Sequence, residues 1–180
     1  MSGRDGHPDG SRAGFEEYVV ARRAALLRTA YLLTGDHHLA EDLVQATYAK
    51  VLVAWSKVSM ADSPKAYTRT ILLRTFLSQR RLRRVAEHPM ADLPETPAPD
   101  ADVAAHLALL DAVRRLPARD RAVLALRYWE DLSVADAAAV LGIRESTCRT
   151  RTSRALARLR AELPDLSWHD PTSDTPRERP

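Results

Sequence analysis

The chain has 180 residues, 45% of them apolar and 28% charged, with a formal net charge of +3. That length suits one modest domain or two small ones rather than a large enzyme, and the composition can bury a core. Glycine placement excludes more. Gly3, Gly6, Gly10 and Gly14 all precede the body of the chain, leaving no cluster for a phosphate-cradling loop of the Walker or Rossmann kind. A single cysteine, Cys148, excludes an internal disulfide framework and a multi-cysteine zinc site. The opening segment is polar and lacks the apolar stretch of a secretion signal, and no apolar run approaches the roughly twenty residues of a membrane span. The expectation is a soluble, cytoplasmic protein with no membrane insertion.

In chain order the body reads as helices. Phe15 to Leu33 carries apolar residues at helical spacing, with Gly35 placed to end the helix. Asp36 can cap a second helix whose buried stripe is Leu39, Leu43, Thr47/Tyr48, Val51 and Trp55. Ser63-Pro64 pairs a capping hydroxyl with a proline at the first helical position. It starts a third helix through Tyr67, Thr70/Ile71 and Leu77 toward Arg84. From Glu87 to Asp102 four prolines and five acids fall with no Lys or Arg, the composition of a linker. Beyond it, Val103 to Leu116 is closed by Pro117, and Ala118 to Glu130 carries Val123, Leu126, Tyr128 and Trp129. Ser133 caps the next helix, Leu141-Gly142 ends it, and a last helix runs from about Glu145 to Leu163. The reading is all-α: two small helical domains, 15–86 and 103–163, joined by a flexible Pro-rich acidic linker, with polar tails at 1–14 and 164–180.

Basic charge concentrates in both domains. Arg69, Arg74, Arg80, Arg81, Arg83 and Arg84 form one run without an acid; Arg144, Arg149, Arg151, Arg154, Arg158 and Arg160 form another against Glu145 alone. Arginine forks pair phosphates and guanine edges, so two such runs favour nucleic acid over a solvated helix face. A membrane-surface helix fits less well, because neither run has a bulky aromatic opposite face. The most specific stretch is Val134 to Ala155. Small Ala137 and Ala138, a turn at Gly142 and an apolar anchor at Ile143 follow the grammar of a DNA-binding helix-turn-helix. Cys148, Ala155, Leu156 and Leu159 take the inner side of its second helix. Ser146, Arg149, Thr150, Ser153 and Ala157 take the outer one, with Arg149 placed to read guanine bidentately. Arg151, Arg158 and Arg160 suit phosphates.

Taken together, these motifs resemble a sigma factor of bacterial RNA polymerase, of the short extracytoplasmic-function (ECF) type in the sigma-70 superfamily. The likeness spans roughly Phe15 to Leu163. Leu26 to Asp36 followed by Leu39-Ala40-Glu41-Asp42-Leu43-Val44-Gln45 is similar to regions 2.1 and 2.2. Ser63-Pro64-Lys65-Ala66-Tyr67 with the Arg-rich helix is similar to regions 2.3 and 2.4. Leu116-Pro117-Ala118-Arg119-Asp120-Arg121 with the helix-turn-helix is similar to region 4. The resemblance implies that Leu39, Glu41, Asp42 and Gln45 dock on the clamp helices of core RNA polymerase, with the flap as a further contact. It implies that the loop of Ser59, Met60, Ala61 and Asp62 captures a flipped base of the promoter −10 element. Lys65, Arg69, Arg74, Arg80 and Arg81 would steady the separated strand. Ser146, Thr147, Arg149, Thr150, Ser153 and Arg154 match the positions that read the −35 element. Relatives often carry asparagine at the position of Arg74, tryptophan at that of Gln79 and an apolar residue at that of Thr152. Relatives are often held inactive by an anti-sigma protein.

Two other classes compete. A helix-turn-helix regulator acting without stable polymerase association would bind an operator by itself. A hydrolase or metal enzyme has little to build on: His37 and Glu41 can share a helix face but lack a third ligand. Trp55 and Trp129 read as core residues. No cofactor, metal or catalytic residue is expected.

Overall fold

The computed structural model describes residues 10–83 and 101–164. Most of the 87–102 linker and of both expected tails therefore lies outside the described residues, as do Arg84 and Trp168. Eight α-helices occur among those described: α1 (Arg12–Thr34), α2 (His37–Val53), α3 (Trp55–Ser59), α4 (Pro64–Arg83), α5 (Ala101–Arg115), α6 (Ala118–Leu124), α7 (Val134–Leu141) and α8 (Glu145–Glu162).

The helix ends follow the cap residues. Ser11 accepts from the Gly14 amide at 3.1 Å, so α1 starts at Arg12, three residues before the expected Phe15. The Ser11 carbonyl also accepts from the Trp55 indole N–H at 2.9 Å, which ties this entry into the core. Asp36 accepts from the Leu39 amide at 2.9 Å and begins α2. Ser63 accepts from the Ala66 amide at 3.2 Å ahead of α4, and Ser133 accepts from the Asp136 amide at 3.0 Å at the start of α7.

The expected stripe of α2 is observed, with Leu43, Thr47 and Val51 fully buried and Leu39 and Tyr48 half-buried. Trp55 is buried too, but the helix breaks at Ala54 and Trp55 opens the short α3. The stripe of α4 is displaced from the expected one. Thr68, Leu72, Leu73, Thr75 and Phe76 are buried, whereas Tyr67 is exposed and Ile71 and Leu77 only half-buried. Threonines on the inner side explain the shift. Thr68 shares a 2.9 Å hydrogen bond with the Tyr18 hydroxyl, and Thr75 accepts one from the Lys50 ammonium at 2.9 Å, so these polar side chains are satisfied inside. Burial raises the pKa of Tyr18, partly offset by the Thr68 bond, and pushes that of Tyr48 up to about 12.

The expected single helix from Ala118 to Glu130 instead closes as α6 followed by a π-helical turn, Ala125–Trp129. The Glu130 amide bonds the Ala125 carbonyl at 3.0 Å, one residue wider than an α-turn. That extra residue rotates Trp129 outward, and it is 50% exposed rather than in the core.

The two halves are not held apart. One apolar cluster joins Leu26, Ala30, Leu33, Leu43, Leu72 and Phe76 of the N-terminal helices to Ala122, Val123, Leu126, Ala137, Ala138 and Cys148 of the C-terminal ones. Leu32 of α1 packs in turn against a second cluster of Ala112, Val113, Leu116, Ala155 and Leu159. At Gly35 (φ 71°) the Arg114 side chain lies across the backbone where a Cβ would stand. Glycine is required there twice over, for the left-handed turn and for the close approach.

Candidate nucleic-acid interface

The helix-turn-helix is built as its residues dictate. Ala137 and Ala138 are buried against α8, and their small size lets the two helices cross closely. Gly142 takes φ 64° and the Ile143 amide reaches back to the Ala138 carbonyl at 3.0 Å, closing α7 with a left-handed cap. Cys148, Ala155 and Leu159 face inward, and Leu156 is half-buried. Burial pushes the Cys148 thiol up, so it remains protonated and behaves as a small core residue. Thr152 is half-buried and donates its hydroxyl to the Cys148 carbonyl at 2.9 Å, which satisfies a polar group where an apolar one would pack.

The outer side of α8 presents what the spacing predicts. Ser146, Arg149, Thr150, Ser153 and Arg154 are exposed and Thr147 is half-buried. Arg149 is 64% exposed and pairs with Glu145 at 2.9 Å across one helical turn. Such a pair is worth little in water, so the guanidinium can leave it for a base edge. Arg151 and Arg158 are organised differently. Asp120, 8% exposed on its side chain, accepts from Arg151 at 3.3 Å and from Arg158 at 2.6 Å. One buried carboxylate on α6 thereby fixes two arginines along the flank of α8. Charge runs do not single out Asp120, which stands between Arg119 and Arg121; only its partners do.

The N-terminal candidates divide. Met60 and Asp62 are exposed and Ala61 half-buried in the turn ahead of α4, with Lys65 and Arg74 exposed on that helix. Arg80 and Arg81 lie in its last turns, and Gln79 is half-buried. Arg69 is elsewhere. It sits five residues from Arg74, about 140° round the helix, and its guanidinium meets Glu130 at 2.9 Å. The arginine run of α4 is therefore not one patch.

On α2, Glu41, Asp42 and Gln45 are exposed and Leu39 half-buried. Further along the same helix Leu52 is 50% and Val53 90% exposed. These two apolar residues extend the polar edge into an apolar surface, which the spacing of the buried stripe does not reveal. Their signal is an apolar side chain standing off the buried stripe. His37 stacks on Tyr31 with ring centroids 4.5 Å apart, which accounts for it as a packing residue at the start of α2.

Comparison with known proteins agrees with this geometry. Residues 19–85 match the family model for Sigma-70 region 2, and residues 106–159 match that for Sigma-70, region 4. The "RNA polymerase sigma-E factor" of Streptomyces coelicolor is 38% identical over 151 residues, covering 83% of this chain and 85% of that protein. The "ECF RNA polymerase sigma factor SigL" of Mycobacterium tuberculosis is 34% identical over 165 residues, covering 86% and 89%. Among solved structures, the sigma factor RpoE in complex with the anti-sigma factor NepR from Bartonella quintana superposes with a TM-score of 0.67. It is 29% identical and covers 85% of this chain and 98% of that one. CnrH in complex with the cytosolic domain of CnrY gives 0.60 at 25% identity, covering 88% and 92%. With both family models matched along one chain and relatives alike over most of its length, the chain belongs to the sigma-70 family and is an ECF-type RNA polymerase sigma factor.

Proposed function

We propose that this chain contacts core RNA polymerase through the α2 edge, Leu39, Glu41, Asp42 and Gln45, extended by Leu52 and Val53. The α8 face reads the −35 element as duplex, with Arg149 on a guanine and Thr150 and Ser153 as shorter contacts. Arg151 and Arg158, held by Asp120, pair with phosphates and set the register. Met60, Ala61 and Asp62 receive a flipped base of the −10 element, and Lys65, Arg69, Arg74, Arg80 and Arg81 steady the separated strand. Unstacking a base costs a few kcal/mol, which the pocket and polymerase contacts offset. The chain makes and breaks no covalent bond, so it is an initiation factor and not an enzyme, and it works in the cytoplasm with promoter DNA. One solved neighbour, RpoE from Bartonella quintana, was captured with the anti-sigma factor NepR, which supports an anti-sigma protein as a further partner.

The observation that carries this reading is the exposed outer side of α8 with Arg149, Thr150, Ser153 and Arg154 in one row. The test is run-off transcription with purified core polymerase over a library of promoter sequences. Initiation above core alone at a subset sharing two spaced elements is expected; none at any sequence refutes it. The competing regulator reading predicts tight operator binding by the free chain and no stable polymerase complex.

A further inference from the structure

Tyr18 of α1 touches both flanks of the turn that carries Met60, Ala61 and Asp62. Ahead of the turn, its ring packs on Trp55 of α3 with centroids 5.3 Å apart. Beyond it, the Tyr18 hydroxyl lies 3.1 Å from the Pro64 carbonyl and 2.9 Å from the Thr68 hydroxyl, both at the start of α4. A phenol has one hydrogen to give. The Pro64 carbonyl can only accept, so Tyr18 donates to it and the Thr68 hydroxyl donates to Tyr18. A second polar tie reaches the near flank, where the Trp55 indole N–H donates to the Ser11 carbonyl at 2.9 Å. The first two turns of α1 with their cap therefore hold α3 by one hydrogen bond and α4 by two.

We infer that Tyr18 is a positioning residue for base capture: it staples α3 to the start of α4 and so fixes the shape of the turn between them. This role rests on the reading of that turn as the receiver of a flipped −10 base. The turn has little to hold it from within. Its Ala61 amide bonds the Val58 carbonyl at 3.2 Å, while Met60 is 74% exposed and Asp62 is exposed as well. Its shape is therefore set by the distance and angle between the two helices that it joins. A receiver that must order itself when the base arrives loses affinity by that ordering, and one held in shape beforehand does not.

Filling the core does not by itself require this residue type. Tyr18 joins Val51, Trp55 and Val58 in a small buried cluster, with Phe15 and Ile71 packed against it, and a phenylalanine ring offers the same apolar body. The hydroxyl is what a phenylalanine lacks, and it is spent on a backbone carbonyl at the first residue of α4. A buried hydroxyl without partners carries a penalty, whereas here both neighbours satisfy it. The bond acts on the main chain directly, so it fixes where α4 begins and not merely which side chains touch.

The test uses the full chain with purified core polymerase and promoters already opened by mismatches across the −10 element, so that capture is read without melting. Affinity is measured with each of the four bases at each −10 position. The parent should favour one base at the captured position, and Tyr18→Phe should reduce that preference roughly fivefold, the size of a neutral hydrogen bond. Preference at the −35 element should not change. In the free chain, amide hydrogen exchange across residues 59–66 should quicken in Tyr18→Phe. Adding Thr68→Val removes the hydroxyl left without its acceptor and restores stability, and the base preference should stay low. Recovery of the preference in that double variant, an equal loss over all bases, or unchanged exchange in Tyr18→Phe overturns the positioning role. Met60→Ala and Asp62→Ala judge the reading beneath it. If both leave the base preference intact, the base is received elsewhere and the capture reading fails, with the role of Tyr18 in it. If they abolish the preference and Tyr18→Phe does not alter it, the positioning role fails alone.

Discussion

Arg149 and Arg69 belong to basic runs that look alike, and the fold treats them in opposite ways. Arg149 stands on the outer side of α8 and, among the described residues, pairs with its helical neighbour Glu145 in an exposed contact that water and salt weaken. Arg69 is drawn into the seam between the two halves and shares Glu130 with Thr29, a residue 101 positions away from that glutamate. Removing one partner of a withdrawn pair leaves the other charge uncompensated, a far larger cost than losing a surface pair. Charge in a sequence thus says that an arginine exists to bind something. Which arginine is free to do so depends on what the other half of the chain brings against it.

The strongest way to break this contrast is to remove the apolar support of the seam. Phe76→Ala should lower unfolding free energy by about 3–5 kcal/mol, read by urea denaturation, because Phe76 is 1% exposed and also seats Arg121. A loss below about 1 kcal/mol would mean that the seam does not depend on it. The counterpart on the open side is Arg149→Ala, expected to weaken binding at one −35 base pair by about 1–3 kcal/mol. Thermal stability should be unchanged. A uniform loss over all promoter sequences would reassign Arg149 to a phosphate.

Gly142→Ala tests the turn between α7 and α8. The left-handed φ of 64° penalises a Cβ by about 1–2 kcal/mol, measurable by denaturation, and no neighbour lies where that Cβ would point. Gly35→Ala should cost more, since Arg114 must also move. The smallest effect concerns alkaline pH. Tyr48 has its pKa raised from 10.0 to about 12 by burial, so the folded state holds its proton where the unfolded state has lost it. Its contribution is present in full below pH 10.0 and disappears as pH rises to about 12. Melting curves at intervals across that window should fall more steeply for the parent than for Tyr48→Phe.

Much of this was legible along the chain because it is local. Ser11 aside, the caps at Asp36, Ser63 and Ser133 and the glycine stops at Gly35 and Gly142 satisfy backbone groups within four residues. The inward and outward sides of α8 follow from a 3.6-residue period alone. Apolar spacing does not give the α4 stripe, because its inner side includes threonines. Those residues become core only when Tyr18 and Lys50 arrive to bond Thr68 and Thr75. Nor does apolar spacing place Trp129, because a π-helical turn shifts the register of everything after Ala125.

Helix positions, capping, the small-residue hairpin and the outer row of α8 were set by the order of residues, since each depends on neighbours a turn or two away. The tertiary structure alone decided that Asp120 holds Arg151 and Arg158, that Leu52 and Val53 prolong the α2 edge, and that Arg69 closes on Glu130. A buried charge takes the partner that comes within reach once water is excluded, and that partner can lie anywhere in the chain.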